Sequence, residues 1–333
     1  MEEAQQLGQY SLEERVGEGG MGEVYRASHL LLRRPTAVKL LRSDHVDGPS
    51  IVRFEREVQL TSRLTHPNTS AIYDYGRTPE GRFYYAMEYL DGVNLEQLIH
   101  VTGALPPARV IHILRQVCAS LAEAHRSGLI HRDIKPANVV LCERGGIQDF
   151  VKVVDFGLVK DIVAETDPNV SSANTITGTP LYLSPEAIRA PETVDGRSDL
   201  YAVGALGYYL LTGTPLFQSA NVMEICNHQM NTAPQSPSER IGKAQPHDLE
   251  AVILQCLEKN PATRPQDAEA VCEALAACED AKHWSTAEAA KWWSANKANA
   301  TLARTQDVGS SSAAATATAS LAVNRSPARA PGP

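Results

Sequence analysis

The sequence predicts an α+β chain in which a small antiparallel sheet with one helix comes first and a larger, mainly helical part follows. Three observations carry this. Between residues 10 and 90, short strand-like runs are separated by turn signals, Gly17–Gly22 and Pro79-Glu-Gly81 among them. Beyond Gly92 the apolar positions instead recur every three to four residues. The most apolar stretch, Tyr201 to Phe217, is broken by Gly204, Gly207, Gly213 and Pro215; shorter than the roughly 20 residues of a membrane span, it reads as a buried helix. With 333 residues, 43% hydrophobic and 21% charged, the chain has ample material for a core. A net charge of -8 argues against a general affinity for nucleic acid. The six cysteines form no C-x-x-C pair and no metal-ligand spacing, so reduced core residues are expected. The acidic, polar N-terminus (Met-Glu-Glu-Ala-Gln-Gln) is unlike a signal peptide, and an unanchored cytoplasmic protein is the expectation.

Residues 10–41 read as a strand, a glycine turn and two further strands. The turn, Gly17-Glu-Gly-Gly-Met-Gly22, contains G-x-G-x-x-G. Dinucleotide-binding folds use the same glycines to open a helix, whereas here Val24-Tyr25-Arg26-Ala27 continues as a strand. Such a strand-turn-strand lets backbone N–H groups approach phosphates closely, the plain alternative being a simple glycine-rich hairpin. Thr36-Ala-Val-Lys-Leu-Leu41 is an apolar strand with one lysine, Lys39, for which a solvated face is the plain reading. Residues 50–65 have helical spacing (Ile51, Phe54, Val58, Leu60, Leu64), end before His66-Pro67-Asn68, and offer both Glu55 and Glu57. Ala71–Gly76 and Arg82–Leu90 alternate as the next strands, the second running into Met87-Glu-Tyr-Leu-Asp-Gly92. Pro106-Pro107 opens a helix with Val110, Ile113/Leu114, Val117 and Leu121 on one face, and Gly128 ends it. Glu143–Asp149, with Gly145-Gly146, is a polar hairpin tip; Phe150–Val154 alternates as a strand, and Asp155-Phe-Gly157 follows.

The helix that ends at Gly128 delivers the chain into Leu129-Ile-His-Arg-Asp-Ile-Lys-Pro-Ala-Asn-Val-Val-Leu141. A turn between strands has no use for a His and three charged residues framed by apolar anchors. The run matches the catalytic loop of protein kinases. With the glycine turn, Lys39, Asp155-Phe-Gly157, Ser184-Pro-Glu186 and Arg264 in order, the chain from about Tyr10 to Cys278 resembles the eukaryotic-like Ser/Thr protein kinases of bacteria. Val-Gly-Glu-Gly-Gly-Met-Gly-Glu-Val-Tyr and the Glu143-Arg-Gly-Gly hairpin leading to Val154-Asp-Phe-Gly-Leu-Val-Lys160 are similar to myxobacterial and planctomycete members.

The resemblance implies a bilobal protein-kinase fold, with an N-lobe over residues 1–90, a C-lobe over 91–280 and ATP between them. It implies that Asp133 accepts or orients the substrate hydroxyl, and that Lys135 neutralises the γ-phosphate. Asn138 and Asp155 would hold Mg²⁺, with Mn²⁺ able to substitute. Lys39 would position the α- and β-phosphates, paired with Glu57, which resemblance to a Phe-x-x-Glu-[Val/Ala] pattern favours over a solvent-facing Glu55. Val16, Gly17, Glu18, Gly19, Gly20, Met21, Gly22 and Val24 would cover the nucleotide; Ala37, the gatekeeper Met87, Glu88, Leu90 and Val140 would complete its site. Asp133-x-Lys-x-x-Asn138 resembles Ser/Thr kinases, since tyrosine kinases usually carry Ala-Ala-Arg or Arg-Ala-Ala. Thr177-Gly-Thr-Pro-Leu-Tyr-Leu-Ser-Pro-Glu186 resembles the substrate-docking segment, with Thr179 near Asp133 and Lys135 and Leu183 facing the residue after the phosphosite. Ser184-Pro-Glu186 replaces the usual Ala-Pro-Glu. Glu186 should pair with Arg264, and Asp199 should brace the catalytic loop from the long buried helix. Arg132 is the residue family members use to hold a phosphorylated activation loop; autophosphorylation is expected at Thr175, with Ser171, Ser172 and Thr177 as further candidates.

Asn94 lies where some basic-directed kinases place a Glu, so no strong preference for Arg upstream of the phosphosite is expected. Residues 281–302 hold all three tryptophans and read as one helix packing on the large lobe, with a partner-docking segment as the functional alternative. Residues 303–333 are Ala, Ser, Thr and Pro with almost no large apolar residue, and disorder is expected. Many bacterial relatives continue into a membrane span and a sensor domain; neither is expected here. The function implied is ATP-dependent phosphoryl transfer to protein Ser/Thr hydroxyls with activation-loop autophosphorylation; the alternative is a pseudokinase or adaptor scaffold acting through the Trp-rich tail. A small-molecule kinase of this fold class should lack Thr179, Ser-Pro-Glu and Arg264. The partners are then ATP and proteins carrying Ser/Thr, without nucleic acid or a membrane span; a partner at the tail and a homodimer stay open.

Overall fold

The first layer is a six-stranded antiparallel sheet made of β1 (Gln6–Leu7), β2 (Tyr10–Gly19), β3 (Gly22–His29), β4 (Pro35–Leu41), β5 (Ile72–Arg77) and β6 (Phe83–Glu88), ordered β1-β2-β3-β4-β6-β5. The computed structural model of the chain describes residues 5–19, 22–41, 48–156 and 180–296. Strand alternation sorts the sheet into two apolar faces. Ala37, Leu41, Phe83, Tyr85 and Met87 meet Val58 of α1 (Gly48–Thr61), whereas Leu7, Tyr10, Leu12, Ala27, Val38, Leu40, Tyr84 and Ala86 cluster on the other side. Strand β6 does not alternate as the sequence reading of Arg82–Leu90 would have it: Phe83 to Met87 are all buried, because both faces of the strand are covered. Gly22 closes the glycine turn with φ +149°, and a Cβ there would collide with the Leu40 carbonyl oxygen. Only glycine lets β3 lie this close to β4 at that point.

The second lobe begins at Gly92. Strand β7 (Gly92–Asn94) pairs with β8 (Val139–Arg144), which pairs with β9 (Ile147–Val153). Gly145 and Gly146, both at positive φ (56° and 80°), make the two-residue turn of that hairpin. Asn94 caps α2 (Leu95–Thr102), accepting from Gln97 N while the Gln97 side chain accepts from Asn94 N, so this position is spent on a capping box. Then follow α3 (Pro107–Arg126), α4 (Pro185–Arg189), α5 (Gly196–Thr212), α6 (Val222–Asn231), α7 (Pro237–Ile241), α8 (His247–Cys256) and α9 (Ala268–Ala277). The expected α3 stripe (Val110, Ile113, Leu114, Val117, Leu121) joins α5, buried almost all round, in one core. Gly204 lets α8 pack closely on α5: a Cβ on it would stand 2.8 Å from Cys256 Cβ on α8. All six cysteines are free, and all but Cys272 are buried. Among the described residues, no helix is long and apolar enough to cross a membrane.

The Trp-rich segment is not one helix. Glu279–Lys282 form a 3₁₀ turn, and a new helix, α10 (Thr286–Ala295), starts where Ser285 accepts from Glu288 N. The break lets three indoles converge on one buried ion pair. Arg109 of α3 and Asp149 of β9, both fully buried, are bidentate: Nε–Oδ2 and Nη2–Oδ1 are each 2.8 Å. Trp284 Nε1 donates to Oδ2 (2.9 Å) and Trp293 Nε1 to Oδ1 (2.6 Å), while the Trp292 ring centre lies 3.8 Å from the Arg109 guanidinium carbon. The indoles are therefore engaged with the large lobe, as the packing reading expected. The expectations for residues 297–333 lie outside the described residues.

Candidate active site

The catalytic-loop stretch is shaped by a carboxylate it does not contain. Asp199, 1% exposed near the start of α5, accepts from His131 N (2.8 Å), Arg132 N (2.8 Å) and His125 Nε2 (2.8 Å). Burial pushes the Asp199 carboxyl up, but the hydrogen bonds it accepts from His125 and from the loop backbone outweigh this, so it is held below the usual range. His131 Nε2 donates to Val154 O (3.0 Å), Nδ1 accepts from Asp133 N (3.2 Å), and the ring packs on Phe156 at 4.5 Å. Burial holds this imidazole below its ordinary pKa, consistent with a neutral ring carrying its proton on Nε2. One histidine thus ties the loop before Asp133 to the strand end before Asp155. Asp199 thus holds the backbone N–H groups of His131 and Arg132.

On this frame Asp133 Oδ2 meets Lys135 Nζ at 2.9 Å and accepts from Asn138 Nδ2 at 2.9 Å; the same amide donates to Asp133 O at 2.8 Å. Val154 N donates to Asn138 O (3.0 Å), setting Asn138 beside Asp155. Asp155, at φ +58°, holds Lys39 Nζ on Oδ2 (2.7 Å) and the Tyr85 hydroxyl on Oδ1 (2.8 Å). Burial raises its pKa, yet the Lys39 charge and the bonds from Lys39 and Tyr85 more than reverse this, keeping the carboxylate ionised. Register explains the convergence: Lys39 lies opposite Val24 on β3 and opposite Tyr85 on β6, and Ala37 lies opposite Met87. Glu57 is half-buried on α1. Glu55, also half-buried, lies 3.7 Å from Arg77 of β5.

Glu88 points to the opposite face of β6 from Met87, where its carboxylate meets Lys152 (2.7 Å) and Arg144 (2.5 Å) of the β8–β9 hairpin. Any contact of Glu88 with a nucleotide therefore falls to its main chain. Val24, Leu90 and Val140 are half-buried, Ala37 and Met87 buried, and Val16 and Glu18 exposed at the end of β2 with Gly17. In the large lobe, Glu186 and the buried Arg264 are bidentate at 2.6 and 2.8 Å. The remaining Arg264 donors reach the carbonyls of Glu258, Arg197 and Lys259, so each of the five guanidinium N–H groups has an acceptor. Ser184 caps α4 and bonds the Ser198 hydroxyl at 2.6 Å, a use for Ser in place of Ala. Gly20, Met21, Ser171, Ser172, Thr175, Thr177 and Thr179 lie outside the described residues.

A divalent cation fits this set. Asn138 Nδ2 is turned to Asp133, which leaves Oδ1 as a ligand atom, and each Asp155 oxygen keeps a lone pair beyond its one hydrogen bond. Among the described residues, no group of three or more His, Cys, Asp or Glu stands ready to hold a metal. An ion here would take its other ligands from phosphate and water, the habit of Mg²⁺. Tyr85 escaped the sequence reading. The signal was its place two residues before Met87, on the face of β6 shared with the lysine strand.

The two lobes and the residues gathered between them define the protein-kinase class of fold. Residues 10–276 match the protein kinase domain, and the chain belongs to that family. It is similar to the serine/threonine-protein kinase pkn3 of Myxococcus xanthus, 41% identical over 265 residues (78% of this chain, 48% of the relative). It is also similar to the serine/threonine-protein kinase PknB of Mycolicibacterium smegmatis, 42% identical over 263 residues (78% of this chain, 41% of the relative). The chain thus spans about half or less of the length of these curated relatives. Among solved structures, the PknI kinase domain of Mycobacterium tuberculosis aligns with a TM-score of 0.64 and 27% identity over 83% of this chain and 98% of that one.

Proposed function

We propose that the chain transfers the γ-phosphate of ATP to Ser and Thr hydroxyls of proteins. The observation that carries this is Asp133, held by Lys135 and Asn138 and joined through His131 to the backbone before Asp155. Phosphoryl transfer asks a protein for positioning and charge neutralisation more than for covalent chemistry. In this reading Asp133 orients the attacking hydroxyl and takes its proton. Lys135 neutralises charge developing on the transferred group, and Lys39 holds the α- and β-phosphates. Asn138 and Asp155 would hold Mg²⁺, with Mn²⁺ as a substitute, which when bound neutralises phosphate charge. Glu57 is proposed as the partner of Lys39 when nucleotide is present. The scaffold alternative gains no support, since the chain carries a residue of the type that each chemical role requires.

Arg132, with its backbone pinned by Asp199 at φ +61°, is proposed to receive an activation-loop phosphate, with Thr175 as the first acceptor. Six free cysteines support a reducing, cytoplasmic setting. A partner at the tail is not carried forward, because the indoles are engaged internally. The test is autophosphorylation with labelled ATP and Mg²⁺, beside Asp133→Asn. Label in the wild type and none in the variant is expected, with mapping placing it at Thr175. Equal labelling of both proteins would refute the role of Asp133.

A further inference from the structure

Tyr85 is 1% exposed, in an apolar cluster with Ala37, Leu41, Val58, Phe83 and Met87. A phenol can fill such a place with its ring alone, but its hydroxyl then needs a partner. That partner is Asp155 Oδ1 at 2.8 Å, while Lys39, directly across the strand pair, takes Oδ2 at 2.7 Å. Two adjacent strands thus supply one donor to each oxygen of a carboxylate whose backbone stands at φ +58°. One donor would let the carboxylate swing; two fix its plane.

We propose that Tyr85 is a positioning residue for Asp155, holding the carboxylate so that each oxygen presents its remaining lone pair toward a divalent cation bound with nucleotide. This rests on the metal role given to Asp155 above. Ligating carboxylates are commonly oriented by such outer hydrogen bonds, whose loss costs about 10–100-fold in metal affinity or activity. Tyr85→Phe removes the hydroxyl and keeps the ring, so the sheet face stays packed. The opposite relation, in which Tyr85 competes with the cation for Oδ1, predicts tighter metal binding on its removal.

The experiment is a Mn²⁺ titration of the full chain saturated with adenylyl imidodiphosphate, reading free Mn²⁺ by electron paramagnetic resonance, for wild type, Tyr85→Phe, Tyr85→Met and Asp155→Ala. The two Tyr85 variants should bind Mn²⁺ about tenfold more weakly, at the low end of that range, with metal-free nucleotide affinity unchanged. Unchanged or tighter Mn²⁺ binding in folded Tyr85→Phe, with binding lost in Asp155→Ala, overturns the inference and spares the metal role of Asp155. Wild-type binding in Asp155→Ala overturns that role, and the inference with it. Thermal melts of each variant separate a lost ligand geometry from a lost fold.

Discussion

Asp149→Asn is a demanding test of how the Trp-rich tail is held. Each Asp149 oxygen accepts one bond from Arg109 and one from an indole: Oδ2 from Nε and Trp284, Oδ1 from Nη2 and Trp293. An amide of the same shape offers one acceptor and one NH₂, so one arginine donor and one indole donor face another donor. Arg109 stays charged and fully buried, and its Nη1 already lacks a hydrogen-bond partner among the described residues. Burial lowers the Arg109 pKa, and Asp149 is the group that opposes this. Breaking a buried pair by removing one partner costs about 3–5 kcal/mol. Because the chain's three tryptophans all sit on this pair, indole fluorescence in a urea titration reads the perturbed site directly. With a slope of about 3 kcal/mol/M, the midpoint should fall by about 1 M or more. Arg109→Met added to Asp149→Asn removes the orphaned charge and should recover part of the loss. A fluorescence midpoint for Asp149→Asn within about 0.2 M of wild type, which is under 1 kcal/mol at that slope, would refute this account.

Glu186→Gln should destabilise the large lobe by about 3 kcal/mol at neutral pH, measured by urea unfolding. Burial pushes the Glu186 carboxyl up, but Arg264 more than reverses this and leaves it below its usual 4.5. The pair's stabilisation is therefore complete above that value and lost as pH falls through the depressed folded pKa; the variant's stability should vary less steeply with pH below 4.5. Asp199→Asn offers one acceptor where three donors now converge, and should lower kcat about 10²-fold with little change in KM for ATP, in steady-state assays. A proportionate rise in KM would instead place Asp199 in nucleotide binding.

The order of elements was legible because each carries its own local signal. Gly145-Gly146 marked the hairpin turn, Pro107 the start of α3, and the three-to-four spacing its buried face. The active-site residues were legible as a motif, which names side chains but not who holds them. The partner of Glu88 lies more than fifty residues away on a hairpin, and no local pattern announces a contact that depends on which face of β6 meets which strand. The tail shows the same limit. Composition announced a Trp-bearing helix, yet Ser285 and Glu288 restart it as a capped helix after a 3₁₀ turn, and the target pair Arg109–Asp149 is split between α3 and β9.

Arg132 and Asp155 show why the motif takes this form. Both are non-glycine residues at positive φ, 61° and 58°, each a conformation costing on the order of 1–3 kcal/mol. Neither is relaxed locally, and each is held by the network around His131. Asp199 accepts from the backbone N–H groups of both His131 and Arg132, His131 Nε2 donates to the Val154 carbonyl, and Asp133 N returns to His131 Nδ1. The imidazole can donate on one side and accept on the other only while neutral, and its burial maintains that state. A glutamine in its place has the right groups but not the rigid spacing, and an alanine leaves the Val154 carbonyl and the Asp133 amide without their partner. The backbones around Arg132 and Asp155 are thus linked through the His131 ring and the Asp199 carboxylate, and the separation of Asp133 from Asp155 inherits the rigidity of that link.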